Sequence, residues 1–141
     1  MRIFLAGIMQ GSREDHLIGA QDYRNKITQA LEANVPNVQI SDPYALHPDS
    51  IHYEIDQVRD TFESFTVMVR EADVVIAYLP KASMGTAIEM WTALKSNKPV
   101  IAVTPLTHNW VVRLAAQEVL PDLDSLIAAI NDGLISRLTE E

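Results

Sequence analysis

The chain has 141 residues, of which 48% are hydrophobic, and a formal net charge of −8 at pH 7. This composition excludes a disordered chain and predicts a single domain over residues 1–141. The negative charge disfavours a nucleic acid polymer as partner, and no apolar run reaches the roughly 18 residues of a membrane span. Because the sequence contains no cysteine, it has no disulfides, and we expect a cytoplasmic protein.

The first half of the chain alternates strand-like and helix-like segments. A buried strand is predicted from Arg2 to Ile8, and apolar residues at helical spacing predict a helix from His16 to Leu31. A second strand is predicted from Val38 to Ser41, and Asp42-Pro43 ends it because proline cannot continue the ladder. A further helix follows, and its apolar residues predict a near-continuous seam facing the core: Ile55, Val58, Phe62, Phe65, Val69 and Ala72.

The second half continues this alternation. Strands are predicted from Asp73 to Leu79 and from Pro99 to Thr104, with a helix from Thr86 to Ser96 between them. A short helix around Trp110, a weak strand and a final helix from Asp122 to about Leu138 follow. Parallel strands joined by right-handed helical crossovers predict an α/β, Rossmann-like (flavodoxin-like) three-layer sandwich with a four- to five-stranded parallel sheet.

Ligands of open parallel sheets bind at the carboxyl ends of the strands. The first loop at that edge contains Gly7, Gly11, Ser12 and Arg13. Glycines let backbone amides approach an anion closely, and an arginine can pair with it. The alternative is an ordinary turn from strand to helix, in which Ser12 or Asp15 caps the helix.

The loop after the third predicted strand leads directly into a helix. Ser83 and Gly85 precede or begin that helix, and its free amides favour a bound anion. Glu89 is predicted in the first turn, where its carboxylate could reach a sugar carbon that develops positive charge. The alternative is a capping box over Thr86 to Glu89, in which the glutamate only closes the helix start.

The histidines and tryptophans indicate no cofactor. His47, His52 and His108 lack the spacing of a helical metal site, so we expect hydrogen-bonded or surface histidines and no metal. Trp91 and Trp110 are interpreted as core or subunit-contact residues, with stacking on a base as the alternative.

Several short motifs resemble the nucleoside 2-deoxyribosyltransferase family. They are Ala72 to Ala77, Ser83 to Glu89 and Lys98 to Ile101. The opening loop, with Gly7 and Ser12 to Asp15, is most similar to that of the 2′-deoxynucleoside 5′-phosphate N-hydrolases within the family. The resemblance covers the chain to about residue 105.

This resemblance implies an N-glycosidic reaction. Glu89 falls at the position of the family's nucleophile, which attacks the anomeric carbon before water or a second base takes the sugar. Ser83 stands where nucleoside transferases carry an acidic residue and the monophosphate hydrolases carry serine. Together with Gly11, Ser12 and Arg13 it therefore favours a nucleoside 5′-monophosphate as the small-molecule substrate, with Gly85 as a further binding residue.

One position departs from the family pattern. The family has an aspartate eight residues before the one that begins the third strand, and here that position is Phe65. Phenylalanine cannot carry a proton, so the second loop must supply another group, such as Asp42, His52 or Tyr53. Otherwise the chain is a catalytically silent nucleotide-binding module.

The resemblance also implies an oligomer. The family draws an asparagine from a neighbouring subunit into the site, and Asn109 is the candidate for that role. We therefore expect a homodimer or a larger homo-oligomer.

Overall fold

The structure, a computed structural model, describes residues 1–7 and 22–140. Within these ranges, parallel strands form one five-stranded sheet in the order β2-β1-β3-β4-β5. This is the flavodoxin-like doubly wound order, so the predicted fold class is confirmed. The strands are β1 (Arg2–Gly7), β2 (Gln39–Ser41), β3 (Val74–Tyr78), β4 (Val100–Val103) and β5 (Glu118–Leu120).

Helices cover both faces of the sheet. In the described ranges they are α1 (Asp22–Asn34), α2 (Pro43–Leu46), α3 (Ile55–Glu71), α4 (Met84–Lys95), α5 (Trp110–Ala115), α6 (Leu123–Asn131) and α7 (Leu134–Thr139), with a 3₁₀ turn at Ser50–His52. Helices α1, α6 and α7 pack on one face, and α3, α4 and α5 pack on the other. No helix of the described ranges is long and apolar enough to cross a membrane.

Strand β1 shows how the sequence builds the two cores. Successive side chains of a strand point to opposite faces, so Ile3 and Leu5 join the core under α1 and α6. Phe4 and Ala6 join the core under α3 and α4. All four side chains are at most 1% exposed, and each large one contributes about 1.5–3 kcal/mol by its burial.

The predicted apolar seam of α3 is buried only in part. Phe65 and Val69 are buried, whereas Ile55 is 69% exposed and Val58 is 39% exposed. Phe65 contacts Phe4 on β1. From Phe65 back to its first residue, α3 is about 15 Å long, whereas β1 extends only about 10 Å from Phe4 to its last residue. The first turns of α3 therefore lie beyond the end of β1, and the prediction of a near-continuous buried seam is wrong.

The single helix predicted at the end of the chain is also wrong. Helix α6 ends at Asn131 and α7 begins at Leu134. Between them Gly133 adopts a left-handed conformation with φ 84°. Glycine reaches this conformation without strain, so it is a natural place for a helix to break.

Candidate active site

The site is built where the strand order reverses. The chain leaves β1 for β2 on one side and later returns to β3 on the other, and such a switch point opens a crevice at the carboxyl ends of the strands. Gly7 and Tyr78 are paired there as the last residues of β1 and β3. Three residues predicted to hold a phosphate, Gly11, Ser12 and Arg13, lie outside the described residues.

Tyr23, at the start of α1, lies over this switch point. Its ring stacks on Tyr78 with 4.2 Å between ring centroids. A Cβ atom added to Gly7 would overlap the Tyr23 hydroxyl. The structure therefore requires glycine at position 7 for the close approach of Tyr23.

The hydroxyl of Tyr23 is buried without a partner. The residue is 6% exposed, and its Oη accepts or donates no hydrogen bond among the described residues. Burial raises the pKa of Tyr23 well above its usual value, because the phenolate would lose its hydration. The hydroxyl is thus a protonated donor at any physiological pH.

Arg24 forms a buried ion pair with Asp42. Arg24 is 2% exposed, and its Nη1 lies 2.5 Å from Oδ1 of Asp42 and 3.5 Å from the carbonyl oxygen of Leu5. The same carboxylate accepts a hydrogen bond from the backbone N–H of Tyr44 and so caps α2. A guanidinium stays charged when buried, so it requires such a counter-ion. Asp42, which the sequence offered for substrate binding or proton transfer, has this structural role.

The beginning of α4 decides how Glu89 is interpreted. Ser83 is the N-cap: its Oγ accepts hydrogen bonds from the backbone N–H of Thr86 at 3.4 Å and from Thr86 Oγ1 at 3.0 Å. The helix begins at Met84, earlier than predicted, so Glu89 lies in the second turn. The capping-box interpretation, in which Thr86 caps the helix and Glu89 closes it, is therefore wrong.

Glu89 is a buried carboxyl group with an unpaired oxygen. It is 7% exposed, and its Oε2 has no hydrogen-bond partner in residues 1–7 and 22–140. Burial raises the pKa of Glu89 to about 8, and the charge of Arg24 opposes this shift. Glu89 also acts electrostatically on Tyr23, so the two unpaired groups lie in one site. An unsatisfied buried polar group costs about 1–3 kcal/mol and calls for a functional explanation.

Two other predicted residues lie on a neighbouring cavity. Ser83 and Asn109 both line a cavity of about 230 Å³ between α4 and α5, and Glu89 lies outside that lining. Asn109 caps α5, since its Oδ1 accepts from the backbone N–H groups of Val111 and Val112. Gly85 is in the first turn of α4, with nothing within 4 Å of the position of a Cβ atom. No steric requirement explains this glycine.

The tryptophans are not core residues. Trp91 is 49% exposed and Trp110 is 81% exposed. The core interpretation is therefore wrong, and the subunit-contact interpretation stays a prediction.

Tyr23 and Arg24 are the site residues that the sequence did not reveal. The helical spacing of apolar residues predicts that Tyr23 lies on the buried face of its helix. It does not show which residues Tyr23 contacts there. The partner of Arg24 is 18 positions away in the sequence. The signal available in the sequence was Arg24, a charged residue next to the apolar face of the helix, together with Asp42, a single aspartate at the end of a strand.

The geometry defines a doubly wound α/β domain with a buried glutamate and tyrosine at its switch point. The family model of nucleoside 2-deoxyribosyltransferase matches residues 3–126. The chain belongs to this family, as the sequence motifs indicated.

Solved structures agree on the fold. A 2-deoxyribosyltransferase from Bacillus psychrosaccharolyticus is 14% identical, with a TM-score of 0.68 over 92% of this chain and 96% of that chain. A conserved protein from Enterococcus faecalis is 16% identical, with a TM-score of 0.63 over 93% and 97%. A CMP N-glycosidase from Clostridium botulinum is 17% identical, with a TM-score of 0.60 over 93% and 98%. The comparison with curated protein sequences gives no significant match.

Gly7→Ala should destabilise the fold through Tyr23. The new methyl group would overlap the hydroxyl, and overpacking of this kind costs about 1–3 kcal/mol. In a Tyr23→Phe background the cost should be smaller but not zero, because the ring atoms Cζ and Cε2 still lie 3.0 and 3.2 Å away. Urea unfolding of the two single variants and the double variant measures this coupling. Strictly additive costs would contradict the proposed contact.

Glu89→Gln should change how stability depends on pH. The unfolded chain loses the Glu89 proton near pH 4.5, whereas the folded protein keeps it to about pH 8. Between these values the folded state binds more protons, so the stability of the wild type should fall with rising pH relative to the variant. The slope of that difference is at most about 1.4 kcal/mol per pH unit.

Urea unfolding at several pH values from 4 to 9 checks this, with Glu32→Gln on the exposed face of α1 as the control for losing a carboxylate. Parallel curves for wild type and Glu89→Gln would show that the carboxyl is not desolvated.

Proposed function

We propose that this protein cleaves the N-glycosidic bond of a nucleoside or nucleoside 5′-monophosphate, by hydrolysis or by deoxyribosyl transfer, with Glu89 as nucleophile. The observation that carries the proposal is the buried, unpaired Oε2 of Glu89 at the switch point. Ser83 caps α4, so Glu89 is not needed to close the helix. Family membership and the N-glycosidase and transferase among the similar structures support the same chemistry.

The surroundings of Glu89 suit nucleophilic attack on a sugar carbon. With a pKa of about 8, roughly a tenth of the carboxyl groups are ionised at pH 7 in the empty site. A carboxylate without hydration is a strong nucleophile, and the positive charge that develops on C1′ in the transition state stabilises its ionised form. Tyr23 supplies a protonated hydroxyl and Arg24 a fixed positive charge in the same site.

A monophosphate fits the start of α4. After accepting two hydrogen bonds, the Ser83 hydroxyl keeps its own O–H to donate to a phosphate oxygen. The first turn of α4 adds free amides and the positive end of the helix dipole, and Gly85 leaves room beside it. Gly11, Ser12 and Arg13 complete this proposed phosphate site from the loop after β1.

A second candidate function is nucleotide binding without catalysis. Phe65, which stands at the position of the family's aspartate, favours this binding function. Its side chain is 8% exposed and packs edge-on against Phe4, with ring centroids 6.4 Å apart. The Phe65 side chain belongs to the hydrophobic core and can transfer no proton. The two functions differ in whether a free base is released.

Glu89→Gln should abolish base release from nucleoside and deoxynucleoside 5′-monophosphates, because the amide cannot attack C1′. The assay is chromatography of the free base, run beside wild type and Glu32→Gln, with far-ultraviolet circular dichroism to confirm folding. Activity that survives in Glu89→Gln would remove Glu89 from the mechanism. A rise in melting temperature with a monophosphate, and no base released by wild type, would establish the binding function instead.

A second copy of the chain is proposed to cover an apolar patch on α4 and α5. The patch comprises Met84, Ile88 and Trp91 on one face of α4, and Trp110 and Leu114 on α5. Their exposed fractions run from 46% to 86%. The two helices pack together and begin at the same edge of the sheet, so these side chains form one exposed apolar surface, a feature that marks interaction sites. An oligomer also agrees with the shared asparagine that the family resemblance implies.

Trp110→Glu should convert this oligomer to monomers, because it places a charge in the patch. Sedimentation velocity over a range of protein concentrations measures the change. Val67→Glu is the matched control, since Val67 is an exposed apolar residue on α3 outside the patch. A wild type that sediments as a monomer at every concentration would contradict the proposal.

A further inference from the structure

The reaction proposed for Glu89 needs a proton donor as well as a nucleophile, and this inference rests on that proposed function. When the bond from C1′ to the base breaks, its electron pair stays on the base nitrogen. A base leaves readily only when it receives a proton at the same time. Phe65 supplies none, and the hydroxyl of Tyr23 holds its proton too strongly because burial raises its pKa, so the donor must lie elsewhere.

The described loop after β2 offers few candidates. The carboxylate of Asp42 is held by Arg24 and by the backbone N–H of Tyr44. His52 is exposed, at the end of the 3₁₀ turn. His47, which ends α2, is half-buried, and one side of its ring meets Phe65.

The imidazole of His47 is held on two sides. Its Nδ1 lies 2.8 Å from the hydroxyl of Tyr53, and the two rings meet edge-on with centroids 5.7 Å apart. On the other side the ring meets Phe65 edge-on, with centroids 5.5 Å apart. Its Nε2 has no hydrogen-bond partner among residues 1–7 and 22–140.

The backbone fixes both members of this pair. The N–H of His47 donates to the carbonyl oxygen of Pro43 at 2.9 Å, which closes the short α2 helix. Tyr53 immediately precedes the N-cap of α3, where Glu54 and Gln57 form a reciprocal capping box. Because the backbone is fixed at both His47 and Tyr53, the imidazole keeps its orientation without a ligand. A group that donates a proton in a reaction requires such a fixed orientation.

The start of the His47 loop is connected to the proposed nucleophile through Asp42 and Arg24. Asp42 caps the start of α2 and His47 caps its end, so this short helix separates them by about 7.5 Å along its axis. Asp42 is paired with Arg24, whose charge acts on Glu89. The Arg24–Asp42 pair thus connects α2, which His47 ends, with the charge environment of Glu89 on α4.

We propose that His47 is the general acid of the reaction, with Tyr53 as its positioning residue. As Oε2 of Glu89 forms a bond to C1′, the bond from C1′ to the base breaks. The Nε2 proton of the imidazolium passes to the base, which leaves neutral. The Nδ1 proton stays hydrogen-bonded to the Tyr53 hydroxyl.

The second half of the reaction restores both residues. The neutral imidazole takes a proton from the incoming water, whose oxygen attacks C1′ and releases Glu89 as a carboxylate. Water and nucleotide are thereby converted into base and sugar phosphate, and the imidazolium is regenerated.

Leaving-group dependence tests this assignment. His47→Asn should lower kcat/KM for base release from a nucleoside 5′-monophosphate by about 10²- to 10⁴-fold. It should leave kcat/KM for the matching 4-nitrophenyl glycoside 5-phosphate within a few fold of wild type, because nitrophenolate leaves without a proton and kcat/KM does not include the later attack of water. Tyr53→Phe should show a smaller loss with the same dependence on leaving group. His52→Asn, which removes the neighbouring exposed histidine, should be unchanged on both substrates.

Each other outcome overturns the inference in a distinct way. If His47→Asn lowers kcat/KM equally for both substrates, His47 only supports the structure of the site. Unchanged base release would place the acid elsewhere, with the role of Glu89 intact. If wild type cleaves the nitrophenyl glycoside in a Glu89-dependent way but releases no base, Glu89 is a nucleophile and the protein has no general acid. Inactivity of wild type on both substrates would overturn the proposed function together with this inference.

Discussion

The buried ion pair between Arg24 and Asp42 holds together the edge of the sheet at the carboxyl ends of its strands. Moving a guanidinium out of water costs several kcal/mol, and a nearby carboxylate offsets that cost only with close geometry and further hydrogen bonds. Both conditions are met, since Nη1 of Arg24 lies 2.5 Å from Asp42 and also reaches the carbonyl oxygen of Leu5. The pair thereby connects α1, the end of β2 and the middle of β1, three segments that are distant in sequence.

The same pair has electrostatic consequences on both sides. Asp42 caps α2 and so sets where the loop that carries His47 begins. Arg24 lowers the pKa of Glu89 against the larger effect of burial. One fixed positive charge therefore acts on a carboxyl group that is kept largely protonated by desolvation. Such a group is poised to ionise when the charge around it changes, a property that clusters at functional sites.

The chain belongs to the nucleoside 2-deoxyribosyltransferase family and carries a buried glutamate in α4 with a serine as the N-cap of that helix. Phe65 on α3 packs into the core against Phe4. The similar structures are only 14% to 17% identical to it, and at that distance the fold is retained by burial patterns rather than by particular side chains.

The sequence by itself determined the sheet, its parallel strands and the importance of the loop before Glu89. Those features depend on local periodicity and on the short motifs of α4, which are visible in one stretch of chain. Only the tertiary structure decided whether Glu89 closes its helix, because that depends on a shift in the helix start from Thr86 to Met84. It also decided which half of the α3 seam is buried, since burial depends on where β1 ends. The pairing of Arg24 with Asp42 and the contact of Tyr23 with Gly7 were equally invisible in the sequence. The physical reason is that periodicity records which face of an element is apolar, whereas a buried polar contact depends on what another element places opposite it.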